Sequence, residues 1–578
     1  MTGETRPVDA EFSQLMRRYS PEMSVEILDL IAQLSRALSL QHSCLDLSGQ
    51  PRSLVEELAN LSVVGDGQQP TPLVLKDDQL YLHRYYQYES SVAKSLAARN
   101  NALPPPDHLK DQLVKYFGPS AGTINWQQIA ALQSMTQQLI IVTGGPGTGK
   151  TSTVAKILTM LRENDKELVI KLAAPTGKAA MRLAESIQQF LVQLPQDTRD
   201  AIPTRVQTLH RLLGMRSNGR SFLYNSDNPI LADFLIVDEV SMVDLTMMHR
   251  LLDALSDHTR LLLIGDPDQL PSVEAGNVLA DLCRDRPGFS SKFSALARQL
   301  LDVDLPVSKK QHSLNDAICH FETSYRFSRD RGIGQLADNI QSGELKLTSS
   351  DDDEVRVLTL ESLNAGNLRG EITSYYLEYE TLLQDSTTDA SALLSNFESI
   401  RILCPFRDGE LGVEALNKVI EDQLESRGLK PLDQRFYHGR PVIIMRNDYN
   451  LELFNGDVGV CLDDPEDNQM KTAFIDATGN VKLYLASRLP PHETCFAMTI
   501  HKSQGSEFDH VTLILPDPTS LATRQLLTRE LIYTAITRAR LSIAIYANET
   551  TWAGALQRSA KRMSGLSAML EVSETTDE

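Results

Sequence analysis

The sequence is poor in cysteine, has no long apolar run and carries no excess of positive charge, and each lack removes a class of function. Its six cysteines are Cys44, Cys283, Cys319, Cys404, Cys461 and Cys495, and the closest pair, Cys461 and Cys495, stands 34 positions apart. That spacing excludes a CxxC zinc site and a clustered iron–sulfur site, so reduced thiols are expected. No stretch approaches the ~18 consecutive apolar residues that suggest a membrane span. The opening MTGETRPVDAEF lacks the basic, apolar, small-residue order of a secretory signal. A cytoplasmic chain without membrane contact is expected. Acidic residues number 76 and basic ones 56, a formal net charge of −20. Such a chain gains little from general attraction to phosphate backbones, so any nucleic-acid site must be local.

What is present is an ordinary globular composition, 42% hydrophobic and 23% charged, in 578 residues, which is too long for one core and implies several domains. Residues 1–115 read as a small α+β unit, a candidate for subunit interaction. MSVEILDLIAQLSRALSL has a helical period, and PLVLKDDQLYLHRYYQYE reads as two strands around Asp77 and Asp78. Tyr81, Tyr85, Tyr86 and Tyr88 are read as core residues of that unit. Pro104, Pro105 and Pro106 break any helix that follows.

From about 116 to 345 the apolar runs LIIVT, VIKLAA, FLIVDE and LLLIGD alternate with helical patterns, as in a doubly wound parallel sheet. A second set, IRILCP, HVTLILP and LSIAIYA, marks another α/β lobe over 346–578. Short β-like runs at about 418–495 suggest a barrel-like insert within it. QDSTTDASALLSN reads as a surface loop and the tail VSETTDE as disordered.

The strand LIIVT runs into GGPGTGKTS, where Gly144, Gly149, Lys150 and Thr151 satisfy GxxxxGK[ST] ahead of a helical segment. Backbone N–H groups from Gly144, Gly145, Pro146, Gly147, Thr148, Gly149 and Ser152, less the proline, are then available to curl around phosphates. Lys150 reaches the β/γ-phosphates and the Thr151 hydroxyl can ligate Mg²⁺. ATP with Mg²⁺ is the expected ligand pair. FLIVDEVSMVD ends a strand on Asp238, a Mg²⁺ partner through water, and Glu239, a general base. GDPDQLPSVEAG ends another on Gln269, a γ-phosphate sensor, while Asp266 and Asp268 suit either that site or a turn. Arg326 and Arg538 are candidates to neutralise charge that develops on the γ-phosphoryl group.

The ordered set WQQIAA, GGPGTGKTS, APTGKAA, TLHRLLG, DEVSMVD, GDPDQLPSV, SYRF, TIHKSQGSEF and YTAITRAR covers about residues 126 to 540. It resembles superfamily 1 helicases, specifically the 1B branch, and within it the RecD family of exodeoxyribonuclease V alpha subunits. The resemblance implies two RecA-like lobes, an SH3-like insert and ATP-dependent 5′→3′ DNA translocation. It also implies work in double-strand break repair and recombination, in a heterotrimer with RecB-like and RecC-like subunits. By the same resemblance Gln127, or its neighbour Gln128, reads the adenine, and Arg326 and Arg538 are arginine fingers. Thr176, Lys178, Thr208 and His210 would touch single-stranded DNA from the first lobe, and Thr499, His501, Ser503 and Gln504 from the second. Arg220, Phe222 and Tyr224 would form a strand-splitting pin, and Asn455, Gly456 and Asp457 a turn of the insert.

Four other readings stay open: a stand-alone RecD-like helicase, an RNA helicase, a chain with its own nuclease activity, and a non-translocating ATP switch. The only nuclease-like string, Glu344-Leu345-Lys346, follows a glycine and has no partner aspartate on a preceding strand.

Overall fold

The computed structural model describes residues 6–571, apart from 121, 217–220, 285–287, 328–330, 351–352, 364–375, 385–388, 433, 449, 465–466, 468 and 477–478. The tail at 572–578 and Arg220 of the expected pin therefore lie outside the described residues.

Two parallel sheets form the body of the molecule. In the first, the strand order is Ile318–Phe321, Leu139–Gly144, Arg260–Gly265, Phe234–Val237, Ile170–Ala174, Val206–Thr208, and every neighbouring pair is parallel. Every residue of Leu139–Gly144 is buried, as expected for a strand covered by helices on both faces. The second sheet runs Val355–Leu358, Ala539–Ala547, Phe508–Leu515, Ile400–Cys404, Ala497–Thr499, again all parallel. Between its strands Ile400–Cys404 and Ala497–Thr499 the chain makes an antiparallel five-stranded sheet spanning Pro441–Ile444 to His492–Thr494. Val442, Ile444, Leu453, Cys461 and Phe474 give that sheet a small core of its own.

The N-terminal unit is a mixed four-stranded sheet covered by the helices Pro7–Tyr19 and Val25–Ser39. Strands Leu73–Lys76 and Gln79–Leu82 pair antiparallel through Asp77 and Asp78, both at positive φ (49° and 58°). That is the left-handed pair a two-residue hairpin needs.

Two expectations are corrected. Only Tyr81 of the tyrosine cluster lies in a strand, because the chain turns at Leu82 into a helix, His83–Arg99. Val92, Ala93 and Leu96 bury one face of that helix with a 3–4 residue period, and Tyr85 and Tyr88 pack on the same core. The core role holds in full for Tyr81 alone; Tyr85, Tyr86 and Tyr88 are partly buried, Tyr85 and Tyr88 against the core of the first lobe. QDSTTDASALLSN is not loop throughout. Asp389 caps a helix, Ala390–Ser399, by accepting from Ala392 N, and Leu393, Leu394 and Phe397 bury its inner face.

The C-terminal segment returns across the molecule. Arg562, 7% exposed, donates to the carbonyls of Ser272, Glu274 and Gly276 and to the Gln41 side chain. Beyond it, Ser564 Oγ and Gly565 N both donate to the buried Glu89 carboxylate. One guanidinium thus joins the N-terminal unit to the loop that follows Gln269. Arg562→Ala removes the guanidinium from three loop carbonyls, of which, among the described residues, Glu274 O and Gly276 O keep only the Ser272 hydroxyl, a loss on the order of 3 kcal/mol in local stability. Amide exchange within residues 272–276 should accelerate on the order of 100-fold, measured by hydrogen exchange with mass detection.

Candidate active site

The site forms where strands of the first sheet end. Registers Thr143↔Gly265 and Val237↔Leu263 bring Gly144, Asp266 and Asp238 to one edge, the carboxyl ends of parallel strands where such sheets take ligands. The loop 144–149 leads into the helix Lys150–Asn164, whose N-terminus favours an anion. Gly147 sits at φ 74°, and a Cβ there would lie 2.3 Å from Cβ of Arg326. Only glycine admits that approach.

Lys150 Nζ donates to Gly144 O (2.6 Å) and Gly145 O (2.9 Å), which holds its ammonium inside the loop. Thr148 and Ser152 turn their hydroxyls to Gly145 O and Gly149 O, so these side chains brace the loop. Thr151 lines the cleft above, together with Pro146 and the loop glycines Gly147 and Gly149.

Geometry separates the two glutamines of WQQIAA. Asn125 caps their helix by accepting from both backbone N–H groups. Gln127 Nε2 then donates to Thr148 O at 3.1 Å, against the phosphate loop. Gln128 is buried elsewhere, accepting from Ser120 Oγ and donating to Gly118 O.

Asp238 and Glu239 follow the strand Phe234–Val237. Burial, reinforced by Glu239, pushes the Asp238 carboxyl well above the usual carboxylate range, and Lys150 opposes the shift. Glu239 adopts φ 54°, a left-handed conformation rare outside glycine, and its N–H donates to Asp238 Oδ1 (2.8 Å). Asp266, read as either a site or a turn residue, does both. It accepts from Asp268 N in a turn and from Gln269 Nε2 (3.1 Å), and Tyr533 from the second lobe donates to the same carboxylate (3.3 Å). Burial raises its pKa, with Lys150 opposing.

The second sheet presents the opposite ends of its strands. Register Phe508↔Ala539 sets the residues just before these strands, Glu507 and Arg538, side by side. Arg538 is 3% exposed and donates to Thr534 O and Ser506 O. Arg326 comes from the segment after strand Ile318–Phe321, which is laced to the phosphate loop by Tyr325 N to Gly147 O (2.8 Å) and Ser324 Oγ to Pro146 O. Its guanidinium pairs with Glu507 at 2.7 Å. One cleft of about 380 Å³ collects Lys150, Thr151, Asp238, Glu239, Gln269, Arg326, Arg538 and Glu507. Sequence reading left Asp266 open between site and turn and missed Tyr533 and Glu507, and with them Arg182, whose guanidinium lies 3.8 Å from Glu507. Glu507 stands inside the quoted TIHKSQGSEF, but only tertiary pairing shows what it touches.

The remaining candidates divide. Thr176 and Thr208 cap helices, accepting from Ala179 N and Arg211 N. Thr208 lines a cavity of about 380 Å³ between the first lobe and the antiparallel sheet, with Arg205, Arg211, Phe454, Lys482 and Tyr484. Those basic and aromatic residues were not singled out from sequence, since they come from segments nearly 300 positions apart. Lys178 lines an adjoining cavity, and burial lowers its amine to about 8. His210 lies 6.2 Å from the Phe222 ring, and burial lowers its pKa and that of His501.

Thr499 lines a separate cavity with Lys502. Ser503 is fully buried and donates to Ile500 O, while Gln504 Nε2 crosses to Leu270 O of the first lobe (2.8 Å). These two polar groups are spent within the protein, so the structure does not gather the eight residues on one surface.

The two glutamines should behave differently on truncation. Gln127→Ala should raise KM for ATP about 3- to 10-fold with unchanged thermal stability. Gln128→Ala should cost about 1–3 kcal/mol of stability and leave KM nearly unaltered. Steady-state ATPase kinetics paired with thermal melts check both.

Comparison with known proteins agrees with this layout. Residues 127–275 match the AAA domain family and residues 494–546 the UvrD-like helicase C-terminal domain family. The chain is 36% identical over 548 residues to the RecBCD enzyme subunit RecD of Haemophilus influenzae, covering 87% of this chain and 82% of that protein. It is 35% identical over 588 residues to the RecBCD enzyme subunit RecD of Mycolicibacterium smegmatis, covering 97% and 96%. Among solved structures, Bacteroides Pif1 bound to ssDNA aligns with a TM-score of 0.39 at 19% identity, over 74% of this chain and 93% of that one. With identity of this order sustained over nearly its whole length, the chain belongs to the family of RecD subunits of the RecBCD enzyme.

Proposed function

We propose that the chain is the ATP-driven DNA helicase motor of a RecBCD-type exodeoxyribonuclease V, acting in double-strand break repair and homologous recombination. The observation that carries this reading is the single cleft in which a phosphate loop, an acidic pair, Gln269 and arginines from both lobes meet.

The triphosphate lies on the backbone N–H groups of residues 144–152, with Lys150 between the β- and γ-phosphates and Gln127 beside the loop. Thr151 and Asp238 supply the hard oxygen ligands that suit Mg²⁺, and both face this cleft. When bound, that ion neutralises phosphate charge. Glu239 takes the proton of the water that attacks the γ-phosphorus as the bond to the ADP oxygen breaks. Arg326 and Arg538 meet the charge spread over the transferring phosphoryl group.

Gln269 has a direct route to the second lobe. Its neighbour Leu270 accepts from Gln504 through its carbonyl, and its N–H donates to Thr534 Oγ1 (2.8 Å). Movement at the γ-phosphate therefore pulls on both the segment of Gln504 and the helix Arg529–Ile536 that precedes Arg538.

Single-stranded DNA runs over the first-lobe residues Thr176, Lys178, Thr208 and His210 and on to Thr499 and His501. The antiparallel insert acts as an SH3-like cover, with Phe454 and Tyr484 offering rings for base stacking. Ser503 and Gln504 act in this scheme through the turn they hold and the lobe they reach. Among the described residues, the antiparallel bridge Met215↔Phe222 supports a pin that starts there. Translocation runs 5′→3′, with RecB-like and RecC-like partners in a cytoplasmic heterotrimer and nuclease activity on a partner.

Lys150→Gln should cut DNA-stimulated ATP hydrolysis at least about 100-fold, and Glu239→Gln about 10²- to 10⁴-fold, with assembly intact. Duplexes with a 5′ or a 3′ single-stranded tail read out polarity. Unwinding confined to 3′ tails overturns the direction, and wild-type hydrolysis by Lys150→Gln overturns the site.

A further inference from the structure

Among the described residues, Glu507 is the acid of the cleft that forms ion pairs with arginines. Its Oε2 lies 2.7 Å from Arg326 and its Oε1 3.8 Å from Arg182, and the Arg182 guanidinium also reaches its backbone carbonyl (3.5 Å). Burial would raise the carboxyl, yet Arg182, Arg326 and Arg538 outweigh it and hold the pKa below the ordinary value. Glu507 is therefore an ionised, largely enclosed carboxylate bound to guanidiniums of both kinds: one beside the phosphate loop and one behind it on the helix Gly177–Leu191.

A carboxylate and a phosphoryl group make the same demand on a guanidinium, two acceptor oxygens for a planar fork. Arg326 uses one terminal nitrogen of its fork on Glu507, and its other terminal nitrogen is buried without a hydrogen-bond partner among the described residues. Gly147 lets the Arg326 stem lie directly on the phosphate loop. The γ-phosphoryl group of a seated triphosphate falls within reach of the same donor that Glu507 holds. A diphosphate, ending one group earlier, makes no such claim.

Resting on the ATP-site reading above, we infer that Glu507 is an internal competitor of the γ-phosphate, which parks Arg326 and yields it when a triphosphate binds. Arg182 completes the device as a positioning residue. With Arg326 drawn to phosphate, Glu507 keeps Arg182 as its counter-ion, so the exchange leaves no enclosed carboxylate unpaired. After hydrolysis and phosphate release, the carboxylate takes Arg326 back. The handover thus weakens triphosphate binding selectively and favours return to the parked arrangement at the end of each cycle.

The test is equilibrium binding of ADP and of a non-hydrolysable ATP analogue to the full chain carrying Glu507→Gln. The analogue should bind about 10-fold more tightly than to wild type, with ADP changed less than about 2-fold. A carboxylate that merely props Arg326 in place gives the opposite sign, weaker analogue binding. Weaker or unchanged analogue affinity, or equal tightening of both nucleotides, overturns the inference. Glu507→Asp retains the charge and shortens its reach, so it should tighten the analogue in the same sense. If the Gln variant does not fold, the absence of that tightening in a folded Asp variant is equally decisive against it. Wild-type chain that binds no ATP refutes the ATP-site reading itself. Wild-type chain that binds and hydrolyses ATP, with no selective tightening in the variants, refutes only the role given to Glu507.

Discussion

The structure depends on one opposition: carboxyl ends of strands in one parallel sheet face amino ends of strands in another. Loops after Leu139–Gly144, Phe234–Val237 and Arg260–Gly265 bring Lys150, Asp238, Glu239 and Asp266 to the seam, while the residues before Phe508 and Ala539 bring Glu507 and Arg538. Charges of both signs are packed there at close range, so each controls its neighbours. Burial drives Asp238 and Asp266 toward the neutral form, and Lys150 resists for both. Three guanidiniums hold Glu507 ionised. A polyanion entering such a cleft must rearrange these pairings, and the lobes that carry them, to be accommodated.

How much of this was legible in the sequence follows from how local each cause is. The phosphate loop is written in eight consecutive residues, and its glycines and flanking strand and helix are fixed by short-range geometry. Asp238 was legible because it directly follows an apolar strand, and Gln269 because it stands in the short loop beyond another. Glu507 and Arg182 were not, since a charged residue in a helix or before a strand has the same local signature whether it faces solvent or a partner 325 positions away. The choice between Gln127 and Gln128 also needed the fold: adjacent helical positions point about 100° apart, and only the surroundings say which faces the loop.

The misread elements have the same origin. Tyr85, Tyr86 and Tyr88 favour strands by propensity, yet they lie in a helix that buries Val92, Ala93 and Leu96 against the first lobe. In the 390–399 segment, small polar residues masked the spacing Leu393, Leu394, Phe397, which only becomes a helical face once the second lobe is there to receive it. Tertiary burial overrode composition in both places.

The path of the C-terminus limits how the cleft can open. Ala560 N donates to Glu530 Oε2 on the helix Arg529–Ile536 of the second lobe, and Arg562 is anchored in the 272–276 loop of the first. Two residue steps separate these anchors, which at full extension span only about 7 Å. The other connection between lobes passes through Tyr325, fixed to the phosphate loop, and then enters the helix Gly332–Ser342, whose Ile333, Leu336 and Ile340 lie in the second lobe's core. Two short tethers at separate points forbid the lobes from sliding apart and leave rotation about the line joining them. Such a rotation changes the distance between Arg538 and Lys150, while Tyr325 keeps the neighbouring Arg326 against the loop 144–149. Of the two arginines, Arg538 is therefore the one whose distance from the phosphates reports the state of the cleft, and Arg326 the one that must change partners without changing place.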